Sequence, residues 1–248
     1  MEGKELEQTL VLIKPDALKN SLTGYVLSLL SEFHSGLRFA GAKIVHVSKM
    51  LAEEHYIEHH GKPFYLPILE YLMGYAHYPN EPQKRRVIAL VYQGPDAVQK
   101  IRDIVGPTNP LVAREKKPGC IRALGTLVPV RDEAGNVISE RMDNLIHASA
   151  TPAEAAREIK LWFKPNDIPP LMRAYPTNVC DLLLYIQDGA LYPTYAPGRV
   201  CLLAPGDIAW ASDLEALRLL RAGQPAPCSV KAVAAKYLIN EERGSVGL

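Results

Sequence analysis

No GxxxxGK(S/T) loop, no GxGxxG after a strand and no HExxH lies anywhere in the 248-residue chain. If phosphate is handled at all, side chains must hold it, because the glycine-rich backbone cradle is missing. Cysteine is scarce. The four residues Cys120, Cys180, Cys201 and Cys228 form no CxxC pair and have no histidine at zinc-like spacing. That excludes a zinc ribbon and a disulfide-built scaffold and leaves ordinary reduced thiols. No apolar run approaches the roughly 20 residues needed to cross a bilayer. The opening Met1-Glu2-Gly3-Lys4-Glu5 is too charged to begin a secretory signal. Excess charge is lacking too: 28 Lys and Arg against 27 Asp and Glu leave a formal net charge of +1. A chain devoted to coating nucleic acid or an anionic membrane would carry a basic excess. There is no internal repeat and no low-complexity segment. What remains is 48 % apolar and 22 % charged, which is enough to bury a core and stay soluble, so a cytoplasmic protein is expected.

The pattern of the chain names its elements. Thr9-Leu10-Val11-Leu12-Ile13-Lys14 is a strand stopped by Pro15-Asp16. Val26, Leu27, Leu29, Leu30 and Phe33 recur at helical spacing from Gly24 to about Phe33. Phe39 to Ser48 reads as a strand, with Val45 and Val47 on one face and Ile44 and His46 on the other. Helical pieces follow around Ala52 to His60 and Leu66 to Met73. Val87 to Tyr92 is a strand buried on both faces. Asp96 opens a helix to Val105, striped by Val98, Ile101, Ile104 and Val105. A long loop is expected from Gly106 to about Gly125. A short strand ends near His147, and Thr151 caps a helix through Phe163, with Glu154 placed for a capping box. Strand, helix, strand, helical excursion, strand, helix, loop, strand, helix is a split βαβ order. It predicts an α+β, ferredoxin-like sandwich: a four-stranded antiparallel sheet with helices packed on one side.

Two polar stretches interrupt that order, His77 to Arg86 and Arg131 to Met142, the second a hairpin turn or exposed loop. After Pro165 the prolines multiply, at 165, 169, 170, 176, 193, 197 and 205. Apolar runs at Val179 to Ile186 and Val200 to Leu203 follow, and two helices are expected, Asp213 to Arg221 and Ser229 to about Glu242. The division expected is residues 1–170 as one domain and 171–248 as an extension folded against it or against a neighbouring subunit.

Five segments carry chemistry. Lys14 ends the first strand before Pro15-Asp16-Ala17. Tyr56 and Phe64 lie in His55-Tyr56-Ile57-Glu58-His59-His60-Gly61-Lys62-Pro63-Phe64. Arg102 precedes Gly106-Pro107-Thr108-Asn109-Pro110. Arg122 follows Lys117-Pro118-Gly119-Cys120-Ile121. His147 sits in Asn144-Leu145-Ile146-His147-Ala148-Ser149. In this order, from about Glu7 to Pro165, they resemble the nucleoside diphosphate kinase family. The resemblance implies ping-pong phosphoryl transfer between nucleoside tri- and diphosphates, magnesium, and a homo-oligomer, with no membrane and no dedicated nucleic-acid partner. It implies that His147 attacks the γ-phosphorus and that Glu158 orients its ring. Lys14, Arg102 and Arg122 match the phosphate-contacting cations, a role suited to a point charge and two planar forks. Tyr56 matches a hydroxyl near the γ-phosphate and Thr108 one on the β-phosphate side. Asn144 matches a ribose contact, Phe64 the ring that stacks on the base, and Ser149 the serine beside the catalytic centre. Magnesium is expected on the nucleotide phosphates rather than in a protein cage.

Taken singly, each of these residues has an ordinary reading. A histidine at a strand end is usually structural, Lys14 and the arginines solvated, and Phe64 core. His59 and His60 read as surface residues. Three departures from the family pattern stand out. Ala150 stands where an acidic residue is common, Ala123 and Leu124 where glycine follows the arginine, and Ala148 where glycine is usual. The missing carboxylate implies weaker water-mediated magnesium contacts. A second function class therefore stays open: a nucleotide-binding or interaction protein on the same fold with little turnover.

Overall fold

The computed structural model describes residues 6–131 and 134–237. β1 (Glu7–Ile13) is buried from Gln8 onward, as an uncharged run between two neighbours must be. Pro15 does stop it, but also opens a short helix, α1 (Pro15–Lys19), with its fixed φ at the first turn. The helix expected to Phe33 is two pieces, α2 (Thr23–Leu29) and α3 (Glu32–Ser35). Ser31 breaks it by capping α3, its hydroxyl accepting from the His34 amide at 3.3 Å. Val26 and Leu30 reach the core, whereas Phe33 is 99 % exposed.

β2 (Arg38–Val45) runs into Val47, with Val45 and Val47 buried and Ile44 out, as its alternation predicts. α4 (Lys49–His55) and α5 (Tyr65–Met73) make a helical hairpin joined by a 3-10 turn at Ile57–His59. β3 (Val87–Gly94) leads to α6 (Ala97–Val105). The region expected as a long loop holds α7 (Pro110–Lys116), started by Pro110 and capped by Asn109, whose Oδ1 accepts from the Leu111 amide at 2.9 Å. β4 (Thr126–Arg131) and β5 (Val137–Asp143) pair as a hairpin. β6 (Ile146–Ala148) and α8 (Pro152–Trp162) complete the unit. Thr151 accepts from the Glu154 amide at 3.1 Å, but Glu154 reaches back to the Ala150 amide rather than to Thr151.

The sheet order is β2-β3-β1-β6, and all three pairings are antiparallel, giving the ferredoxin-like α+β architecture. The two crossover helices, α2 and α6, share one face with Val11 and Ile13 of β1. The opposite face is not bare. Leu10 and Leu12 point there and are covered by α4, α5 and α8. The helices therefore flank both faces, a difference from the one-sided expectation that the α4–α5 excursion explains.

Beyond residue 170 come β7 (Thr177–Val179), β8 (Leu184–Gln187), β9 (Ala190–Tyr192), β10 (Val200–Leu203) and β11 (Ile208–Trp210). α9 (Ala211–Arg221) and α10 (Val230–Ala234) close the described chain. The expected continuation of the last helix to Glu242 lies outside the described residues. These elements build a core of their own around Leu184, Ile186, Leu214 and Leu217. They also grip the first core. Trp210 is fully buried in it and donates to the Phe163 carbonyl at 2.8 Å. Ser229 donates to Glu54 on α4 at 2.8 Å. Among the described residues no helix is long and apolar enough to cross a membrane.

Candidate active site

β6 is an edge strand of three residues, and it delivers His147 opposite Leu12 of β1. The chain reaches it through Leu145, a buried residue forced to φ 68°. Such a left-handed leucine is strained. It is held from both sides, its amide donating to Asp16 at 2.8 Å and its carbonyl accepting from the Lys14 amide at 2.9 Å.

The His147 ring is 17 % exposed, and its Nε2 lies 3.0 Å from Glu158 Oε2 on α8. A carboxylate only accepts, so Nε2 carries the proton and Nδ1 keeps the lone pair. The same Glu158 oxygen accepts from the Ser149 hydroxyl at 2.6 Å, and Ser149 is fully buried. Burial alone would raise the Glu158 pKa. The His147, His55 and Ser149 contacts overcome it and bring the carboxyl from 4.5 to about 2.

Beneath this pair lies a residue that sequence reasoning left unassigned. His55, at the end of α4, is buried, and its ring stands edge-on to His147 at 4.5 Å and 80°. Its Nδ1 accepts from the Trp162 indole at 3.2 Å. Burial first, then the neighbouring His147, holds its pKa well below the ordinary histidine value. It is a neutral wall. His55, His147 and Glu158 offer ligand atoms within 4.8 Å of one another, but the indole and the serine already engage His55 and Glu158.

Three cations face the same space. Lys14 is buried, and its Nζ donates to Asn144 Oδ1 at 2.8 Å and sits 4.8 Å from the Tyr71 ring centre. Burial lowers its pKa to about 8, against the opposing charge of Asp16. Arg122 is buried and, among the described residues, donates to two carbonyls, Gly106 at 3.0 Å and Ile146 at 3.2 Å, while its Nε has no partner there. Burial, then repulsion from Arg102, lowers its pKa to about 10. Arg102 itself is exposed on α6. Buried cations bonded to neutral groups, one N–H left over, describe a place prepared for an anion.

The remaining expected residues gather around it. Tyr56 caps α4 and is buried; burial and Glu158 push its hydroxyl pKa up. Thr108 is exposed and contributes its carbonyl, which accepts from Asn144 Nδ2 at 3.0 Å. Phe64 is 49 % exposed at the start of α5. His59, expected on the surface, instead stacks on Tyr56 at 5.8 Å and meets Phe64 edge-on at 5.4 Å. Asp16, Tyr71 and Trp162 were also not singled out by the sequence. Their hydrogen bonds, Asp16 with Leu145, Tyr71 with Asn144 and Trp162 with His55, span 73 or more residues, and no local pattern announces those.

Comparison with known proteins fits this geometry. A family model described as "Nucleoside diphosphate kinase" matches residues 7–168. A nucleoside diphosphate kinase of Thermococcus kodakarensis is 33 % identical over 168 residues, covering 68 % of this chain and 83 % of the relative. One of Pyrococcus furiosus is 36 % identical over 164 residues, covering 66 % and 87 %. Among solved structures, the Aquifex aeolicus nucleoside diphosphate kinase superposes with a TM-score of 0.53 at 28 % identity, covering 66 % of this chain and 99 % of that one. The Borrelia burgdorferi enzyme, solved with vanadate and ADP as a transition-state mimic, gives 0.52 at 28 % identity, covering 67 % and 92 %.

Proposed function

Because the chain belongs to the nucleoside diphosphate kinase family, we propose that it moves the γ-phosphoryl group of a nucleoside triphosphate to a nucleoside diphosphate through phosphohistidine at His147. The observation that carries this reading is the pairing of His147 Nε2 with Glu158 beside two buried cations that, among the described residues, lack a carboxylate partner. Nδ1 attacks the γ-phosphorus, the bond from phosphorus to the bridging oxygen breaks, and the diphosphate leaves with that electron pair. The second nucleotide reverses the step with its terminal oxygen as nucleophile. Glu158 steadies the positive charge that grows on the ring, and Ser149 keeps Glu158 in place. Lys14, Arg102, Arg122 and the Tyr56 hydroxyl meet the phosphate oxygens, where a loose transition state asks for charge more than covalent help. Thr108 serves the β-phosphate side and Asn144 the ribose. Phe64 stacks on the base, a contact open to any nucleotide.

Glu158 and Asp143 already accept from protein donors, while Arg122 Nε is buried without an acceptor. This donor set suits phosphate oxygens better than a bare cation, so magnesium is read as arriving on the nucleotide. Bound there, it would supply positive charge that offsets the charge of the phosphates.

In the same reading, residues 1–170 are the catalytic unit and 171–248 an extension that braces α4 and modifies assembly of a homo-oligomer. Four free cysteines suit the reducing cytoplasm. The test is to incubate the protein with magnesium and ATP, record its intact mass, add GDP and follow GTP, with His147→Ala alongside. The expected result is an acid-labile adduct that GDP discharges and the variant lacks. Nucleotide binding with neither adduct nor GTP would leave a binding protein on a kinase scaffold.

A further inference from the structure

The two stretches that interrupt the sheet pattern meet in one buried cluster. His77, from the first, is 5 % exposed, and its Nε2 lies 2.8 Å from Asp143 Oδ2. Arg141, from the second, holds the same carboxylate with both ends of its fork, Nε to Oδ1 at 2.6 Å and Nη2 to Oδ2 at 3.1 Å. The His77 ring also packs on Tyr71 at 5.2 Å. Asp143 is the residue before Asn144. The Asn144 amide donates to the Tyr71 hydroxyl at 3.2 Å, its Oδ1 accepts from Lys14 Nζ, and the Tyr71 ring lies under that ammonium. The cluster therefore ends one residue from Asn144 and touches the ring that supports Lys14. At its base, Gly125 has no room for a side chain, because a Cβ there would lie 2.5 Å from the Asp143 carbonyl oxygen.

We propose that His77, Arg141 and Asp143 are positioning residues for phosphoryl transfer, holding Asn144 against Lys14 and setting the field in which that ammonium works. The inference rests on the reading of Lys14 as a phosphate contact. None of the three is among the residues read as nucleotide contacts. A fixed carboxylate beside a buried lysine keeps it charged, and a clamped Asn144 keeps it aimed. The charged and titratable groups around Lys14 are Asp16 from α1, Asp143 from β5, Arg122 from the turn before β4, Tyr71 from α5 and His55 from α4. Asp143 and Asp16 favour the ammonium, and Arg122 opposes it.

Two substitutions pull that field in opposite directions. Asp143→Asn removes a negative charge and leaves Arg141 uncompensated, so Lys14 gives up its proton at lower pH. Arg141→Gln leaves Asp143 uncompensated, so Lys14 holds its proton to higher pH. Loosening alone would move both variants the same way. The readouts are kcat/KM for ATP against pH and the ¹³Cε-lysine NMR titration of Lys14, assigned by its loss in Lys14→Met. The expected result is opposite shifts in the titration and in the alkaline limb. Asp143→Asn should also show a fall in kcat/KM of about tenfold at neutral pH, the scale on which a slightly misplaced group is felt. Shifts of the same sign, or no shift in either variant, would overturn the proposal. If the unmodified protein transfers no phosphoryl group, the kinase reading fails by itself, and the NMR titration still decides whether Asp143 and Arg141 set the charge state of Lys14.

Discussion

Replacing Glu158 by glutamine keeps the shape of the group that holds His147 and removes its charge. The single oxygen that takes both His147 Nε2 at 3.0 Å and Ser149 Oγ at 2.6 Å can remain as an amide oxygen. The glutamine amine would then face the His55 side, where Glu158 Oε1 now lies 3.8 Å from Nδ1. What is lost is the charge-assisted character of the bond as the ring becomes positive during the proposed attack. A bond to a charged group contributes about 1.5–3 kcal/mol and a neutral one about 0.5–1.5, so the difference is about 1–2 kcal/mol. That corresponds to a roughly 5- to 30-fold slower phosphorylation. Rapid-quench mixing with γ-labelled ATP and no acceptor measures this step alone. Glu158→Ala, which also frees the ring to tilt, should be slower still. The same variant changes acid stability. The Glu158 pKa is depressed from 4.5 to about 2, so its contribution is fully present above 4.5 and drains away as pH falls toward 2. Glu158→Gln should lose that acid-side slope. Phosphorylation of Glu158→Gln at the unmodified rate, with the melting temperature unchanged, would refute the argument that charge on Glu158 matters to the transfer.

Phe64→Ala should weaken ADP, GDP and CDP alike, by about 1–3 kcal/mol as expected for one stacked base; titration with each nucleotide checks it, and a selective loss for one base would contradict a stacking role. Gly125→Ala puts a Cβ 2.5 Å from the Asp143 carbonyl and 3.1 Å from that of Arg122. Overpacking of this kind costs about 1–3 kcal/mol, to be read from the denaturant midpoint. Trp210→Phe strands the Phe163 carbonyl that the indole now satisfies. The expected loss is about 1–3 kcal/mol of stability with little change in nucleotide affinity. An unchanged midpoint would mean that the extension's seat on the first core contributes nothing.

Much of the molecule could be read from its sequence because the signals were local. Thr9 to Ile13 and Val87 to Tyr92 are apolar runs that can only be interior strands. Thr151 before Pro152 announces its helix, and the segments around Lys14, Arg122 and His147 come in register. Signals that were local but ambiguous misled. Asn109-Pro110 is as good a turn as a helix start, so α7 was expected as loop, and Phe33 continued a helical stripe that Ser31 had already ended. Long-range pairing left no trace at all. His77 and Asp143 are 66 residues apart, the first in a stretch that reads as polar loop and the second just beyond another, and nothing near either one names the other. His55 looked like an ordinary helix residue because its burial against Trp162 depends on α8.

Lys14 carries a consequence of another kind. An ammonium whose pKa burial has brought to about 8 is partly neutral in mildly alkaline solution when the site is empty. A phosphate group arriving beside it favours the charged form. If Lys14 meets a nucleotide phosphate as proposed, binding and protonation are thermodynamically linked: above pH 8 the protein should take up a fraction of a proton with each nucleotide, and affinity should fall as the solution becomes more alkaline. Calorimetric binding enthalpies at such a pH should then depend on the ionisation enthalpy of the buffer, and this dependence should vanish in Lys14→Met.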